Sequence, residues 1–253
     1  MEVHHHAHSS PDSHRGSSKK KWTHYFWEFL MLFLAVFCGF LAENFREHKV
    51  ESERGRQYVI SFYQDLKTDT TNFSRLIAID NEKVAALSNV YDCYDKLPEN
   101  ANSHSCLADL VRHSGFFIKL IYTDRTLQQL KNAGGMRLLN KTVSDSIYLY
   151  DNKLRTYLGY ETTLLQERQS SLRSSYNELL SFNGIKFLRI PSDSISNNGN
   201  QLLLVTDKIS INKLFNELYQ YAQSIKRRLS FLIDIYENAK RLLTFFSAKY
   251  HLE

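Results

Sequence analysis

Apolar and polar positions fall into three regimes along the chain. Trp22 to Ala42 (WTHYFWEFLMLFLAVFCGFLA) is apolar almost without interruption, and Glu28 is its one formal charge. At 1.5 Å per helical residue this stretch extends about 31 Å, the thickness of one hydrocarbon core. It therefore predicts one membrane-spanning helix over residues 22–42. The following segment, ENFREHKVESERGRQ (43–57), is nearly all polar and reads as the same helix continued as a solvated stalk. From Val59 onward the pattern changes again, to apolar residues recurring at three- and four-residue spacing.

That third regime divides into four predicted helices. The first carries Val59, Phe62, Leu66, Phe73, Leu76, Val84, Leu87, Tyr91 and Tyr94 on one stripe, and Leu97-Pro98-Glu99-Asn100 stops it. Asp69 and Asp80 fall on or beside the stripe. Hydrogen bonding in the core and register setting are open to them, but the preferred reading is that they face water. The second helix covers 105–131, with a kink at Thr123 as a local N-cap, and Asn132-Ala133-Gly134-Gly135 ends it. Thr142 and Asp145 form a capping-box-like start to the third helix, which ends at Phe182-Asn183-Gly184. The fourth begins after Ser210 and runs to about Tyr250. The one long connection, Gly184 to Ile209, contains KFLRI (186–190) and QLLLV (201–205), which pair as a short β-hairpin over 186–205. The expectation is an all-α chain: one N-terminal transmembrane helix followed by an extended up-down four-helix bundle.

Composition supports long helices. Only 9 Gly and 3 Pro occur in 253 residues. The net charge is +5, with 32 basic and 27 acidic residues mixed along the chain, so no concentrated patch points to nucleic acid. Lys226-Arg227-Arg228 is read as part of a solvated face. Residues 1–21 are polar and His-rich and read as a disordered tail. Arg15 and Lys19-Lys20-Lys21 place that tail in the cytoplasm by the positive-inside rule. Phe40-Leu41-Ala42 lacks the small-residue pair of a signal-peptidase site, so the span reads as an uncleaved signal anchor. The three segments are thus a cytoplasmic tail (1–21), a transmembrane helix (22–42) and a periplasmic helical domain (43–253).

Candidate chemistry is sparse. His4, His5, His6 and His8 form the one metal-ligand cluster, and a low-complexity tail is the plainer reading. Glu28 and the small residues Ala35, Cys38, Gly39 and Ala42 mark a face of the span suited to a membrane partner or to self-association. Cys93 and Cys106 flank a turn. In an oxidising compartment they can bridge, which the chain-entropy model values at about 3 kcal/mol; two free or buried thiols are the alternative. His104 and His113 near Cys106 do not form a catalytic signature. There is no HExxH, no GxSxG and no phosphate loop, so neither an enzyme nor a cofactor is expected.

Several stretches together carry a resemblance: KKKWTHYFWEFLMLFLAVFCGFLAEN (19–44) with REH (46–48), YVISFYQDLKTDT (58–70), TLQQLKNAGGMRLLNKTVSDSIYLYD (126–151) and the closing AKYHLE (248–253). They resemble an uncharacterised family, a domain of unknown function, of bacterial single-pass inner-membrane proteins common in Bacteroidota. The resemblance implies a Gram-negative inner-membrane location and brings no activity. The functional expectation is a membrane-anchored periplasmic interaction or scaffold protein, with the lipid bilayer and either a protein partner or a homo-oligomer as its associates. A periplasmic ligand-sensing bundle signalling through a membrane partner is the alternative.

Overall fold

In the computed structural model, the residues described are 18–97, 105–187 and 202–252. They are all-α. α1 (Ser18–Leu87) is a single helix of 70 residues. It is followed by α2 (Val90–Lys96), α3 (Ser105–Ser114) and α4 (Arg125–Asn132), then a 3₁₀ turn at Gly135–Leu138. α5 (Lys141–Tyr160), a π-helical turn (Glu161–Leu165) and α6 (Gln166–Leu179) run on without a gap. α7 (Phe182–Phe187) and α8 (Lys208–Tyr250, 43 residues) complete the order. The chain divides into two compact units, Met1–Glu53 and Arg54–Glu253.

In the first unit, α1 carries a window of mean hydropathy 2.0 with none of it buried. This helix is long and apolar enough to cross a membrane. Phe29, Phe33 and Phe37 stack along one side of it, with centroids 6.2 and 5.8 Å apart.

The second unit owes its stability to the apolar stripes. Val59, Phe62, Leu66 and Phe73 of α1 are buried against Ile147, Tyr150 and Leu154 of α5 and Leu232, Ile235 and Phe246 of α8. A second cluster gathers Leu87, Val90, Leu107 and Leu110 with Leu172 and Tyr176 of α6 and Leu214 and Leu218 of α8. Stripes at helical spacing bury one face of each helix, and this burial is the main driving force for assembly. The ends are capped locally. Asp207 accepts from the Ile209 and Ser210 amides at the start of α8, both at 3.0 Å. Gly134 follows α4 with φ +66°, a left-handed conformation that costs glycine little.

Several expectations are corrected. The helix expected to reach Leu97 breaks at Ser88–Asn89, where the Ser88 hydroxyl turns back onto the Ala85 carbonyl at 2.7 Å. Past the break Tyr91 is exposed and meets the Tyr219 ring at 5.3 Å. The expected helix 105–131 is two short helices separated by a non-helical stretch, 115–124. Thr123 is no N-cap; its amide is held by Asp69. Asn140, not Thr142, caps α5, accepting from the Val143 amide at 3.0 Å. The third helix contains a π turn that periodicity did not indicate.

Of the expected hairpin 186–205, residues 188–201 lie outside the described residues. Lys186 and Phe187 belong to α7 rather than to a strand. Leu203 pairs instead with Leu180 in an isolated antiparallel bridge. Its bonds run from the Ser181 amide to Leu202 and from the Leu204 amide to Leu179, each 2.8 Å.

Gly55 marks where α1 has no room. A Cβ there would stand 2.6 Å from the Leu138 carbonyl oxygen, a backbone atom of the 3₁₀ turn. The prediction is that Gly55→Ala destabilises the second unit by about 1–3 kcal/mol, because the backbone must shift to admit the methyl group. Chemical denaturation of wild type and variant checks this; an unchanged midpoint would show that α1 and the turn are not in contact.

Candidate functional site

The stretch from Gly115 to Asp124 poses a problem of backbone chemistry. It is neither helix nor strand, yet it packs against the bundle, and buried amides and carbonyls must find partners. The partners are charged side chains from three elements. Lys83 of α1 donates to the Phe116 carbonyl. Arg228 of α8 donates to the Ile118 carbonyl. The Leu120 amide donates to Glu161 of the π turn, at 3.2 and 3.4 Å to its two oxygens. The Thr123 amide donates to Asp69 of α1 at 2.7 Å. One step further, Asp65 accepts from the Thr126 amide at 3.3 Å and pairs with Arg125, so α1 supplies the missing cap of α4.

Behind this segment lies a layer of buried charge. Arg228 is 0 % exposed, Asp80 1 %, Glu161 3 % and Lys83 4 %. The Arg228 Nε stands 3.2 Å from Asp80 Oδ2 and donates to the Tyr157 hydroxyl at 3.1 Å. Its Nη2 lies 3.6 Å from Glu161. Tyr157 in turn donates to Glu161 at 2.6 Å. The guanidinium carbon sits 5.5 Å from the centre of the Phe117 ring. Two cations and two carboxylates balance, which is the condition for keeping charge in an apolar interior.

The two carboxylates are in different circumstances. Glu161 accepts from a hydroxyl and an amide as well as facing Arg228. Asp80 meets Arg228 through charge alone, and neither of its oxygens accepts a hydrogen bond. Burial pushes the Asp80 carboxyl up to about 6, with Arg228 and then Lys83 opposing the rise. Burial likewise pushes Asp69 up to about 6, opposed by its bonds from Thr123 and Tyr150. Burial lowers the Lys83 ammonium to about 8. Environments that separate the proton affinities of neighbouring groups are frequent at functional sites, and π turns are too.

Two expectations are overturned by this layer. Asp69 and Asp80, read as facing water, are each 1 % exposed. Arg228, read as part of a solvated basic run, is fully buried, whereas Lys226 and Arg227 are exposed. The physical reason is helical phase. Arg228 lies three residues beyond Ile225 and four before Leu232, on the buried stripe of α8, while Lys226 and Arg227 lie off it. Asp80 stands four residues after Leu76 and seven before Leu87. A charge in the phase of an apolar stripe was the available signal. Lys83, seven residues after Leu76 and four before Leu87, and Glu161, four after Tyr157 and four before Leu165, lie in the same phase and carried the same signal.

The remaining candidates stay apart from the layer. Glu28, Ala35, Cys38, Gly39 and Ala42 are exposed on α1 in the first unit, and the His24 ring is 3.8 Å from Glu28. Cys93 is joined to Cys106, with the two Cα atoms 5.8 Å apart, which staples α2 to α3. His4, His5, His6, His8 and His104 lie outside the described residues. Among the described residues no group of three or more His, Cys, Asp or Glu side chains is arranged to hold a metal ion. An open groove of about 500 Å³ runs between the π turn and α8, lined by Tyr160, Leu164, Gln223, Lys226, Arg227 and Ser230. It presents two cations and no carboxylate.

Compared with known proteins, the chain matches no family model, no curated protein and no solved structure.

Replacing Arg228 strands two buried carboxylates and one carbonyl. Arg228→Ala is expected to cost about 3–5 kcal/mol of unfolding free energy, the range for breaking a buried ion pair from one side. Arg227→Ala, one residue away and exposed, is the control and is expected to change stability by less than about 0.5 kcal/mol. Equal effects of the two substitutions in denaturant titrations would refute the assignment of the layer.

Proposed function

We propose that the chain is a membrane-anchored helical interaction or scaffold protein. Trp22–Ala42 holds it in the bilayer with the N-terminus in the cytoplasm, and the second unit stands in the periplasm, where it meets a protein partner or a second copy of the chain. The observation that carries this reading is the wholly unburied apolar window on α1, a helix whose later turns supply buried core residues. An apolar surface of that size needs a hydrocarbon environment. The basic residues preceding it favour the N-in orientation. The Cys93–Cys106 bridge is in keeping with an oxidising compartment.

Within the bilayer, Glu28 and the stripe Ala35, Cys38, Gly39 and Ala42 are the surface on which a membrane partner or a second span would pack. Outside it, Phe182, Leu204 and Ile209 are 77, 65 and 82 % exposed on either side of residues 188–201, and they suit the soluble partner. A second reading, a periplasmic ligand-sensing bundle that signals through a membrane partner, is favoured by one feature. The buried charged layer ties α1, the π turn and α8 to a single non-helical segment.

Topology is the primary test. In a Cys38→Ser background, Ile233→Cys should react with a membrane-impermeant maleimide on spheroplasts, and Ser10→Cys should react only after lysis. The reverse pattern sinks the periplasmic assignment. Photo-crosslinkers at Leu204 and Ile209 should trap a discrete partner or a dimer; diffuse labelling indistinguishable from that at Ile233 would remove this end as the docking site. Non-reducing peptide mass spectrometry should find Cys93 and Cys106 in one cross-linked species, and two alkylatable thiols would contradict the compartment.

A further inference from the structure

The groove of about 500 Å³ between the π turn and α8 does not end at α8. Gln223 and Lys226 also line a second hollow of about 220 Å³, beside the Ser88–Asn89 break between α1 and α2. Leu87, Tyr91, Tyr219 and Ala222 are among its other walls. The two hollows therefore meet over one turn of α8, with a helix irregularity on either side. The irregularity on one side is a π turn, a feature frequent at functional sites. We propose that this double hollow binds a small phosphate monoester that carries a flat ring, with the phosphate on Lys226 and Arg227 and the ring on Tyr91 and Tyr219.

Charge complementarity selects the head group. Lys226 and Arg227 are exposed, and neither side chain has an ion-pair or hydrogen-bond partner among the described residues. No carboxylate lines either hollow. Three and four positions from them on α8 stand Ala222, Gln223, Ser224, Leu229, Ser230 and Phe231, all uncharged. Elsewhere on or beside α8 the cations are answered: Lys213 pairs with Glu178, Lys153 with Asp234 and Lys240 with Glu237. The buried carboxylates behind the groove, Asp80 and Glu161, are balanced by Arg228 and Lys83 and leave no charge over for the outer pair. Two free positive charges suit a group with close to two negative ones. A phosphate monoester carries about −1.5 to −2 at pH 7, whereas a carboxylate carries one. The Arg227 fork can take two phosphate oxygens, and Gln223 and Ser230 offer further donors on the same wall.

The second hollow selects the body of the ligand. Tyr91 is 63 % exposed, and its ring centre lies 5.3 Å from that of Tyr219, so the pair presents aromatic surface to the hollow. A flat ring laid on that surface buries apolar area and needs no polar partner. Tyr219 and Arg227 are eight residues apart on α8, which places ring and phosphate within about 12 Å of each other along the helix axis. The opposite wall is fixed in advance. The Tyr160 hydroxyl donates to the Ser224 carbonyl at 2.9 Å, and its ring meets that of Phe231 at 5.3 Å. A largely pre-formed concavity with a few convergent polar groups is the usual form of a small-molecule site. This site gives the ligand-sensing reading above its ligand class, and it rests on that reading only for the consequence of binding.

Isothermal titration calorimetry on the full chain in neutral-detergent micelles, at two temperatures and with adenosine monophosphate as the probe, tests the site. The probe should bind with a Kd below about 1 mM. Inorganic phosphate, which lacks the ring, and adenosine, which lacks the charge, should each bind at least about tenfold more weakly. Lys226→Gln and Arg227→Gln should each weaken the probe about tenfold. Tyr91→Ala should weaken it about tenfold through lost stacking and leave inorganic phosphate unaffected. All three side chains are exposed, and unchanged unfolding midpoints establish that the variants are folded. Absence of heat at both temperatures, binding unchanged in both charge variants, or a probe no tighter than inorganic phosphate overturns the proposal and leaves the anchored-scaffold reading standing. Binding that leaves the crosslinks formed by a photo-crosslinker at Ala35 unchanged keeps the site and removes the sensing reading.

Discussion

The organisation of the second unit depends on one requirement: the backbone of Gly115–Asp124 must be hydrogen-bonded without the help of a helix or a sheet. Four charged side chains from three elements meet it, and each must come from a fixed place. Lys83 and Asp69 are fourteen residues apart on α1, close to four helical turns, so both lie on the side facing the segment. Glu161 comes from the π turn. The extra residue of that turn changes the phase of the helix where Glu161 must reach both the Leu120 amide and Arg228. Arg228 has the longest reach of the four and spans from the α8 stripe to the Ile118 carbonyl.

Charge in an interior is expensive, and the layer shows how the expense is contained. Arg228 serves two carboxylates, a phenol and a carbonyl at once, the multidentate use for which a guanidinium suits better than an ammonium. Glu161 is saturated with donors. Asp80 is left with electrostatic attraction only, and its raised proton affinity is the consequence. Apolar side chains would satisfy the volume with less penalty, but they could not bind the amides and carbonyls of 115–124. The polar layer separates the two apolar clusters and specifies how α1, α5 and α8 are aligned.

The first unit follows a simpler rule. Its apolar window exposes Trp22, Phe29, Phe33, Val36 and Phe40, each more than half accessible. Among the described residues no side chain covers them. The aromatic stack along Phe29, Phe33 and Phe37 is an i, i+4 pattern and needs only the helix itself.

The sequence by itself determined where apolar faces are. The 22–42 stretch, the stripe from Val59 to Leu87 and the run of α8 were legible because burial imposes a period of 3.6 on any helix that packs. The positions of Gly134 and of the chain stop near Leu97 were legible because they are local. Tertiary structure alone decided the rest. The phase of the stripe reports that Asp80 and Arg228 lie on buried faces, but that they pair with each other, 148 residues apart in sequence, no local pattern reports. Residues 115–124 contain Phe117, Ile118 and Leu120 at a spacing that a helix accepts, yet side chains from α1, α8 and the π turn offer their backbone a better set of bonds. Local propensity gives way where tertiary hydrogen bonds compete for the same amides and carbonyls, and in this protein that competition formed the charged layer.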